Sequence, residues 1–575
     1  MAAVNGAEAL VRCLIEEGVS CVFGIPGDQC GPITDAIHRM GADAGIKFVT
    51  TRHEQAAAHM ADAWARVTGD PGVCLGTVGP GVANLVPGVY AAYADSVPMI
   101  VLGAQNQTWR SYPEQGSTQA LDQISLMAPI TKWQALVNDV RRMPQLVQTA
   151  FRAAAAGRPA PVYLDLPSNV LCDKVDIYEN PILPPQRYRA TAAPVADTGL
   201  VEQAADMLLE AEWPLIYTGG GILRAGAWNE VTDLAEYLSA PITTSLSGRG
   251  GIPEDHPLYL IPAPALGALK AQTTADLVLL VGGRLGDMSF WGRPPFWGEV
   301  DKQRLVQIDV EPQNIGVNRP VDLALVGDAR STLRALLEAV KKRTGPKLEN
   351  PRLSEARQDQ ALWLAGWEEG SHSDVIPIHP LRMIREIREF FPHEAICAQD
   401  GGTTGMWIYY QHRFYSPRTH LWAADSGHLG SGVPYAIGAK MARPDLPVYC
   451  ITGDGSFGFN AMEMETAKRE NMPIVVIIAN DCSWGMIKGG QSLFCDGRYC
   501  GVDFCDTRYD QLAEALGCYG ERVTDSAQIR PALQRAVDSG LPAVLDVMVD
   551  VEVHMAPPDL AFLLGDVWME GCDMG

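Results

Sequence analysis

Short runs of Val, Ile and Leu recur along the chain and alternate with longer stretches in which apolar residues repeat at helical spacing. Runs such as GVCLGTV and PMIVLGA have the length of a strand, whereas EQAAAHMADAWARV has the periodicity of an amphipathic helix. Strands that alternate with helices are typical of parallel sheets covered by helices on both faces. The pattern therefore predicts an α/β protein built from doubly wound parallel sheets.

Two polar interruptions divide this alternation into three predicted domains. The first covers residues 1–185 and is followed by a Pro-rich connector, ILPPQRYRATAAPVAD, that favours neither helix nor strand. The second covers 198–342 and ends in the polar segment KKRTGPKLENPRLSEARQ. The third covers 375–552 and leaves a C-terminal tail or lid over 553–575. The first and third stretches have similar length and rhythm, which indicates two related domains around a middle one.

Charge and composition narrow the classes of partner. The formal net charge of −23 disfavours nucleic acid and anionic membranes, because most of the surface repels phosphate. The longest apolar runs have strand length and are too short to span a membrane. Thirteen cysteines without a Cys-x-x-Cys pair favour a reduced, cytoplasmic location. A phosphate-bearing ligand would then be held by local backbone donors or by a metal.

The strongest chemical signal follows two neighbouring predicted strands of the third domain. The strand VYCIT leads into the GDGS motif that contains Asp454, and the strand PIVVIIA leads into the NDCS motif that contains Asp481. Open α/β sheets bind ligands at the carboxyl ends of their strands, and two oxygen ligands there can share a hard cation such as Mg²⁺. Each motif taken alone is equally well read as a turn or a helix cap.

The stretch GDGSFGFNAMEMETAKRENMPIVVIIANDCSWG resembles the thiamin-diphosphate-binding motif of the superfamily that contains acetolactate synthase, benzaldehyde lyase and 2-hydroxyacyl-CoA lyase. Similar segments run over nearly the whole chain, among them TRHEQAAAHMADAWARVTG, VGPGVANLV, GRPAPVYLDLP and HLGSGVPYAIGAKMARPDLPVYCITGDGS. The resemblance implies a pyrimidine-binding first domain with a catalytic glutamate, a middle domain, and a third domain that binds thiamin diphosphate and Mg²⁺. It is specific for cofactor and architecture, and much less so for substrate.

The resemblance also implies the metal and cofactor ligands. Asp454, Asp481 and the carbonyl of Ser483 would hold Mg²⁺ and, through it, the diphosphate. The family usually has Asn-Asn where this chain has Asn480 and Asp481, so the second ligand becomes an anion. The other residues expected to contact the cofactor are Asp400, Gly401, Gly427, His428, Leu429, Gly430, Gly453, Gly455, Ser456, Trp484, Gly485 and Met486.

Two residues carry the expected chemistry at the organic end of the cofactor. Glu54 resembles the glutamate that hydrogen-bonds the aminopyrimidine ring, where a protonated acid is needed and a buried site favours it. Leu429 aligns with the bulky apolar residue that holds the cofactor bent. By residue type alone, the preferred interpretation of Glu54 is a helix-start glutamate near the positive end of the helix dipole, and Leu429 is ordinary core. His53 and His59 are expected to be satisfied structural histidines.

Substrate-facing positions follow from the same resemblance. Gln29 and Gln119 are predicted to act at the reaction centre, Gln119 because it aligns with a glutamine that faces it in acetolactate synthases. Asp28, Met406 and Trp407 are expected to line the pocket as well, although ordinary core or surface turns would explain them equally.

The middle domain carries Gly-rich strand ends at 219–221 and 282–284, which are compatible with FAD or a CoA-derived ADP. Tight turns also require glycine, so these positions alone do not establish a nucleotide site. In relatives this domain binds FAD in some members and nothing in others.

The resemblance implies an enzyme that forms or cleaves carbon–carbon bonds. We favour an acetolactate-synthase-like carboligase, a transferase that uses a 2-oxo acid donor. A 2-hydroxyacyl-CoA lyase or an acyloin lyase of the benzaldehyde lyase type remains open, and the Asn-Asp-x-x-Trp version of the metal motif leans that way. A flavin-linked oxidase of 2-oxo acids is a third reading, and a non-catalytic cofactor-binding protein is disfavoured because Glu54 is present.

The expected partners are therefore a small 2-oxo acid, aldehyde or acyl-CoA substrate and further copies of the chain. The resemblance implies that Glu54 and the magnesium motif of one site come from different subunits. A homodimer or homotetramer with sites between subunits is expected.

Overall fold

The computed structural model describes residues 3–562, except 112 and 114, together with residue 565. It contains three sheets in which every strand pairing is parallel, and one two-stranded antiparallel ribbon. Each sheet lies in one of the three predicted stretches, which confirms the α/β class. Within the described residues, no helix combines the length and the apolar character that crossing a bilayer requires.

The first domain has a six-stranded sheet in the order β3-β2-β4-β5-β7-β6, and β1 pairs with β8 in the ribbon. Its strands are β1 (Ala3–Asn5), β2 (Cys21–Gly24), β3 (Lys47–Thr50), β4 (Gly72–Gly76), β5 (Met99–Gln105), β6 (Trp133–Leu136), β7 (Pro161–Pro167) and β8 (Lys174–Asp176). Its helices are α1 (Gly6–Glu16), α2 (Gly31–Ala36), α3 (Glu54–Thr68), α4 (Pro80–Ala94), α5 (Gln123–Met127), α6 (Met143–Ala155) and α7 (Ser168–Cys172).

The middle domain has a five-stranded sheet in the order β10-β9-β11-β12-β13. Its strands are β9 (Pro214–Thr218), β10 (Ile242–Thr244), β11 (Leu277–Val281), β12 (Arg304–Asp309) and β13 (Leu323–Val326). The helices of this part of the chain are α8 (Thr198–Glu210), α9 (Gly221–Ala225), α10 (Trp228–Leu238), α11 (Leu266–Thr274), α12 (Ala329–Lys341), α13 (Pro351–Ala365) and α14 (Glu368–Ser371). Helix α13 adds Leu353 and Ala356 to the middle core, which therefore extends past residue 342, where we predicted the domain to end.

The third domain has six strands in the order β15-β14-β16-β17-β19-β18. They are β14 (Ile396–Gln399), β15 (His420–Leu421), β16 (Val448–Gly453), β17 (Val475–Asn480), β18 (Tyr519–Val523) and β19 (Ala543–Met548). The helices are α15 (Pro380–Phe390), α16 (Gly402–Gln411), α17 (Gly432–Ala442), α18 (Asp454–Asn460), α19 (Glu463–Arg469), α20 (Gly485–Phe494), α21 (Tyr509–Ala515), α22 (Ile529–Asp538), α23 (Val551–His554) and α24 (Leu560–Phe562). Of the predicted tail, residues 563, 564 and 566–575 lie outside the described residues.

The first and third sheets have the same strand order. Numbered from the first strand of each sheet, both read 2-1-3-4-6-5. This shared strand order agrees with the interpretation of two related domains around a middle one.

Helix α3 of the first domain packs on helix α17 of the third. A Cβ atom on Gly438 would lie 2.5 Å from the carbonyl oxygen of Met60, so glycine is required for the two backbones to approach this closely. Further along α3, Arg66 forms buried ion pairs with Asp62 and Asp95, each at 2.7 Å. The two domains share one hydrophobic core, and this packing determines where the first turn of α3 lies.

Candidate cofactor site

Asp454 and Asp481 lie side by side at the carboxyl edge of the third sheet. Asp454 follows β16 and Asp481 follows β17, and these two strands are neighbours. Both side chains are buried. The Oδ2 atom of Asp454 is buried and has no hydrogen-bond partner among the described residues. Burial and the nearby charge of Asp481 raise the pKa of Asp454 to about 8, so the carboxylate pair is suited to a cation that neutralises it.

The turn after β17 supplies further oxygens. The Ser483 amide donates to Asp481 Oδ1 at 3.0 Å, and the Ser483 hydroxyl is buried without a partner among the described residues. Across the described part of the chain, no three His, Cys, Asp or Glu side chains are grouped so as to hold a metal by themselves. Two carboxylates at this edge would therefore need main-chain and ligand oxygens, which a diphosphate supplies.

Asp481 has a partner that sequence reasoning missed. Its Oδ2 atom lies 2.6 Å from Nδ1 of His554, and both side chains are buried. The two residues are 73 positions apart and on different elements, so no local pattern links them.

Close approach of backbone and side chains shapes the surroundings of the carboxylates. Gly401 has φ +95°, and a Cβ atom there would lie 3.2 Å from the Gly453 amide. A Cβ atom on Gly455 would lie 2.6 Å from the Trp484 ring, and one on Gly485 would lie 2.8 Å from Asp481 Oδ2. The predicted ligands at one sheet edge are thus brought together, and they are Gly401, Gly453, Gly455, Ser456, Trp484, Gly485 and, packed against Gly402, Met486.

The loop that carries Leu429 is held by side chains of the same domain. Asp400 Oδ2 accepts hydrogen bonds from the amides of Gly430 and Gly432, both at 2.9 Å. Asn460 Nδ2 donates to the Gly430 carbonyl at 2.6 Å. Burial raises the pKa of Asp400 to about 6, although the amides favour its charged form. Asp400, predicted to contact the cofactor, thus positions this loop through Oδ2, while its Oδ1 accepts from the Gly401 amide at 2.7 Å. In this loop Gly427 is exposed, and His428 and Leu429 are half-buried.

Glu54 lies in the first turn of α3 and is buried. Its Oε2 atom accepts a hydrogen bond from Asn84 Nδ2 at 3.0 Å. His53 caps the helix by accepting from the Gln55 amide at 3.1 Å, which confirms its structural role. Asn84 lies on α4, thirty residues away from Glu54, and sequence reasoning missed it.

His59 is structural but is not satisfied as expected. It is fully buried, and neither ring nitrogen has a partner among the described residues. Burial holds its pKa well below the usual range, so the ring is neutral. The ring stacks on His428 with centroids 5.1 Å apart and meets the edge of Tyr435 at 5.5 Å.

Gln29 and Gln119 flank the loop between β4 and α4. Gln119 is exposed and has φ +62°, and a Cβ atom on Gly79 would lie 2.3 Å from its carbonyl oxygen. Gln29 lies in a short turn just after Gly27, which packs against the side chain of Thr77. The structure therefore places Gln119, and the turn that carries Gln29, beside the same loop.

A buried polar network holds the backbone of Gly79, which lies against the Gln119 carbonyl. Gln123 accepts from the Gly79 amide at 2.7 Å and donates to Asp165 at 2.6 Å. Tyr163 donates to the same carboxylate at 2.8 Å. Burial raises the pKa of Asp165 to about 6.

The other residues expected to line the substrate pocket differ from one another in how far they are buried. Asp28 is exposed and Met406 is half-buried. Trp407 is part of the core of the third domain, and its indole N–H donates to the carbonyl of His554 at 3.0 Å. Of the two alternatives for Trp407, its burial favours ordinary core.

A cavity of about 990 Å³ opens at the carboxyl edge of the middle sheet. It is lined by both Gly-rich strand ends and reaches the first and third domains. Guanidinium groups suited to phosphate also line it, and they belong to Arg152, Arg158, Arg189, Arg224 and Arg284.

Family models match all three domains of the chain. They describe the N-terminal TPP binding domain, the central domain and the C-terminal TPP binding domain of thiamine pyrophosphate enzymes, over residues 4–126, 201–336 and 400–547. The chain belongs to the thiamine pyrophosphate enzyme family.

Several curated proteins are similar over almost the full length. A probable acetolactate synthase large subunit of Methanocaldococcus jannaschii is 33% identical, over 96% of this chain and 94% of the relative. The acetolactate synthase large subunit of Corynebacterium glutamicum is 33% identical, over 96% of this chain and 88% of the relative. The acetolactate synthase isozyme 3 large subunit of Escherichia coli is 32% identical, over 97% of both chains.

Proposed function

We propose that the protein is a thiamin-diphosphate- and Mg²⁺-dependent carboligase of the acetolactate synthase type, acting on 2-oxo acids. The observation that carries the proposal is the buried pair Asp454 and Asp481 at adjacent strand ends, with Asp454 Oδ2 left without a partner among the described residues. The similarity to acetolactate synthase large subunits over nearly the whole chain supports the choice of reaction.

When bound, thiamin diphosphate supplies the carbon nucleophile and electron sink for breaking and forming a carbon–carbon bond beside a carbonyl. Asp454, Asp481 and the carbonyl of Ser483 would hold Mg²⁺, which in turn binds the diphosphate. The metal would overcome the repulsion that this acidic chain exerts on a phosphate ligand. Gly401, Gly453 and Gly455 leave room for the ligand to approach the backbone.

Glu54 would hold a proton toward a nitrogen of the aminopyrimidine ring. Because Asn84 donates to Oε2 of Glu54, the proton is left to Oε1. Leu429, held by Asp400 and Asn460 through the neighbouring glycine, would press on the cofactor and keep it bent. Gln29 and Gln119 would face the substrate beside the same loop.

The active assembly is proposed to be a homodimer or homotetramer with sites between subunits. Phe459 and Met462 lie just after the GDGS motif, and in the single chain they are 51% and 46% exposed. Two large, exposed apolar side chains this close together indicate a surface that another chain covers. In such an assembly, Glu54 of one subunit meets the metal motif of another.

Incubation with pyruvate and, separately, with a 2-hydroxyacyl-CoA tests the proposal. A carboligase releases carbon dioxide from pyruvate and forms acetolactate, and the reaction requires both Mg²⁺ and thiamin diphosphate. Release of an aldehyde from the acyl-CoA without carbon dioxide would instead identify a lyase, the second candidate, which the Asn-Asp-x-x-Trp motif favours.

The middle cavity is proposed to bind a nucleotide such as FAD or ADP. Its five arginines and its Gly-rich strand ends are suited to a diphosphate. Yellow purified protein with flavin absorbance would identify FAD, and turnover that reduces this flavin would favour the 2-oxo acid oxidase. Tight binding of ADP by colourless protein would identify a plain nucleotide site.

A further inference from the structure

His554 and Asp481 form a buried pair at the edge of the proposed metal site. The Nδ1 and Oδ2 atoms are 2.6 Å apart, and the side chains are 4% and 1% exposed. An ionised carboxylate can only accept hydrogen bonds, so the ring must donate from Nδ1. A buried carboxylate oxygen without this donor would be left without a hydrogen bond, which is unfavourable.

The imidazole of His554 is fixed from its other side by helix α16. Its Nε2 atom lies 3.2 Å from the hydroxyl of Thr404. The carbonyl of His554 accepts from the Trp407 indole at 3.0 Å. These contacts fix the orientation of the ring, and the ring in turn orients the Asp481 carboxylate through its hydrogen bond.

The segment after His554 is packed onto the two helices that begin at the site. A Cβ atom on Gly489 of α20 would lie 2.1 Å from the Met555 carbonyl, so the segment runs directly over this helix. Tyr410 of α16 donates to the side chain of Asp559 at 2.8 Å. His554 thus connects the C-terminal segment to the carboxylate.

Asp481 is constrained at both oxygens. The Ser483 amide holds Oδ1 and His554 holds Oδ2. Each carboxylate oxygen keeps a second lone pair, so the two donors fix the plane of the carboxylate while leaving it able to bind a cation. Groups that orient a metal ligand in this way commonly change metal affinity by about 10–100-fold when removed.

We propose that His554 is a positioning residue of the magnesium site, which orients Asp481 and allows a carboxylate to serve where the family usually has an amide. The proposal rests on the proposed function, since it requires Asp481 to bind the metal. It also implies reciprocal coupling: cation and cofactor binding stabilise the docked segment 551–562, and docking of the segment strengthens cation binding.

Two substitutions separate the two hydrogen bonds of the ring. His554→Asn keeps a donor near the place of Nδ1, toward Asp481, and loses the contact with Thr404. His554→Gln places its amide near the position of Nε2, toward Thr404, and removes the donor to Asp481. His38→Leu, at an exposed histidine remote in sequence, serves as control.

The test is a Mg²⁺ titration of the full-length apo-protein at saturating thiamin diphosphate, followed by intrinsic tryptophan fluorescence. We expect the Mg²⁺ concentration at half-saturation to rise at least about tenfold in H554Q and to stay within about threefold of wild type in H554N and H38L. Hydrogen–deuterium exchange of residues 551–562 should slow on addition of Mg²⁺ and thiamin diphosphate in wild type and H554N, and change less in H554Q.

Equal Mg²⁺ affinity in H554Q and wild type would overturn the proposal, as would equal weakening in H554N and H554Q, which indicates a purely structural role. A wild-type protein that shows no Mg²⁺-dependent binding of thiamin diphosphate would instead refute the proposed function. Thermal unfolding of each apo-variant establishes that the proteins compared are folded.

Discussion

The side-chain amide of Gln55 lies 3.1 Å from Nε2 of His428. Gln55 follows Glu54 and His428 precedes Leu429, so this contact connects the segment carrying the proposed acid to the loop carrying the proposed wedge. A second connection lies beside it, because Glu463 Oε1 accepts hydrogen bonds from the amides of Arg52 and His53 at 2.9 and 3.1 Å. The first turn of α3 is therefore anchored to the third domain of its own chain.

Replacement of Glu54 by Gln should abolish most of the activity while leaving the cofactor bound. The amide fills the same buried space beside Asn84 but cannot hold the ionisable proton. We expect exchange of the C2 proton of bound thiamin diphosphate to slow by about 10²–10⁴-fold, the usual contribution of a general acid or base. Acid quench and proton NMR measure this exchange, with the exposed Glu369→Gln as control. An unchanged rate of C2-proton exchange in Glu54→Gln would show that Glu54 takes no part in the proton transfer.

Replacement of Leu429 by Ala should reduce turnover more than cofactor binding. The side chain is half-buried, and its loop is held through backbone contacts at Gly430 that the substitution leaves intact. Loss of the wedge would misplace the reacting groups, and we expect kcat to fall by about 10–100-fold. Steady-state kinetics with a titration of thiamin diphosphate measures the two effects separately. An unchanged kcat would show that Leu429 is ordinary packing.

Replacement of Asp454 by Asn should stabilise the metal-free protein in a pH-dependent way. The folded-state pKa of Asp454 is raised to about 8 from an ordinary value of 3.8, so the folded protein binds a proton that the unfolded chain has lost. Stability therefore falls as the pH rises between these values. The substitution removes this loss, and its advantage should grow by about 2 kcal/mol or more from pH 5 to pH 8, since one pKa unit corresponds to about 1.4 kcal/mol.

Chemical unfolding of the apo-protein at the two pH values, in the presence of a chelator, measures this difference. Mg²⁺ with thiamin diphosphate should reverse the order, stabilising wild type and leaving Asp454→Asn unaffected. An advantage that is the same at both pH values would contradict the raised pKa.

Replacement of Asp481 by Asn should preserve metal-dependent activity. The amide keeps an oxygen for the cation, and His554 can accept from the new N–H by exchanging the positions of its ring proton. We expect half-saturation by Mg²⁺ to rise less than about tenfold, with unchanged or tighter binding of the diphosphate because one negative charge is lost. Asp481→Ala, which has no oxygen to offer, should lose Mg²⁺ binding. Complete loss of cofactor binding in Asp481→Asn would refute the proposed ligand set.

The central strands could be predicted and several edge strands could not. Strands such as β5 and β17 are buried along their whole length and appear as continuous apolar runs. The strands of the three sheets that the pattern missed, β6, β13, β15 and β18, all lie at sheet edges. In β6 and β18 the side chains are partly solvated, so the apolar signal in the sequence is weak. Strand β13 is apolar but has only 4 residues, and β15 has only 2.

The residues that carry the candidate chemistry were accessible from short local motifs, because a strand, a turn and a helix start are contiguous in the chain. Asp454 and Asp481 were found in this way, whereas Glu54 was identified through the family resemblance. Asn84, Glu463 and His554 were not, because they meet their partners only after helices and sheets have packed.

By itself, the sequence determined the class of fold, the two carboxylates at adjacent strand ends and the family to which the chain is similar. The fold class and the two carboxylates depend on residues within single strand–turn–helix units, where spacing decides position. The family follows from similar segments along nearly the whole chain. Only the tertiary structure decided that Asp400 holds the loop of Leu429, that Trp407 is core, and that His554 pairs with Asp481. Each of these depends on distances between elements, which are set by the packing of the whole core rather than by any local pattern.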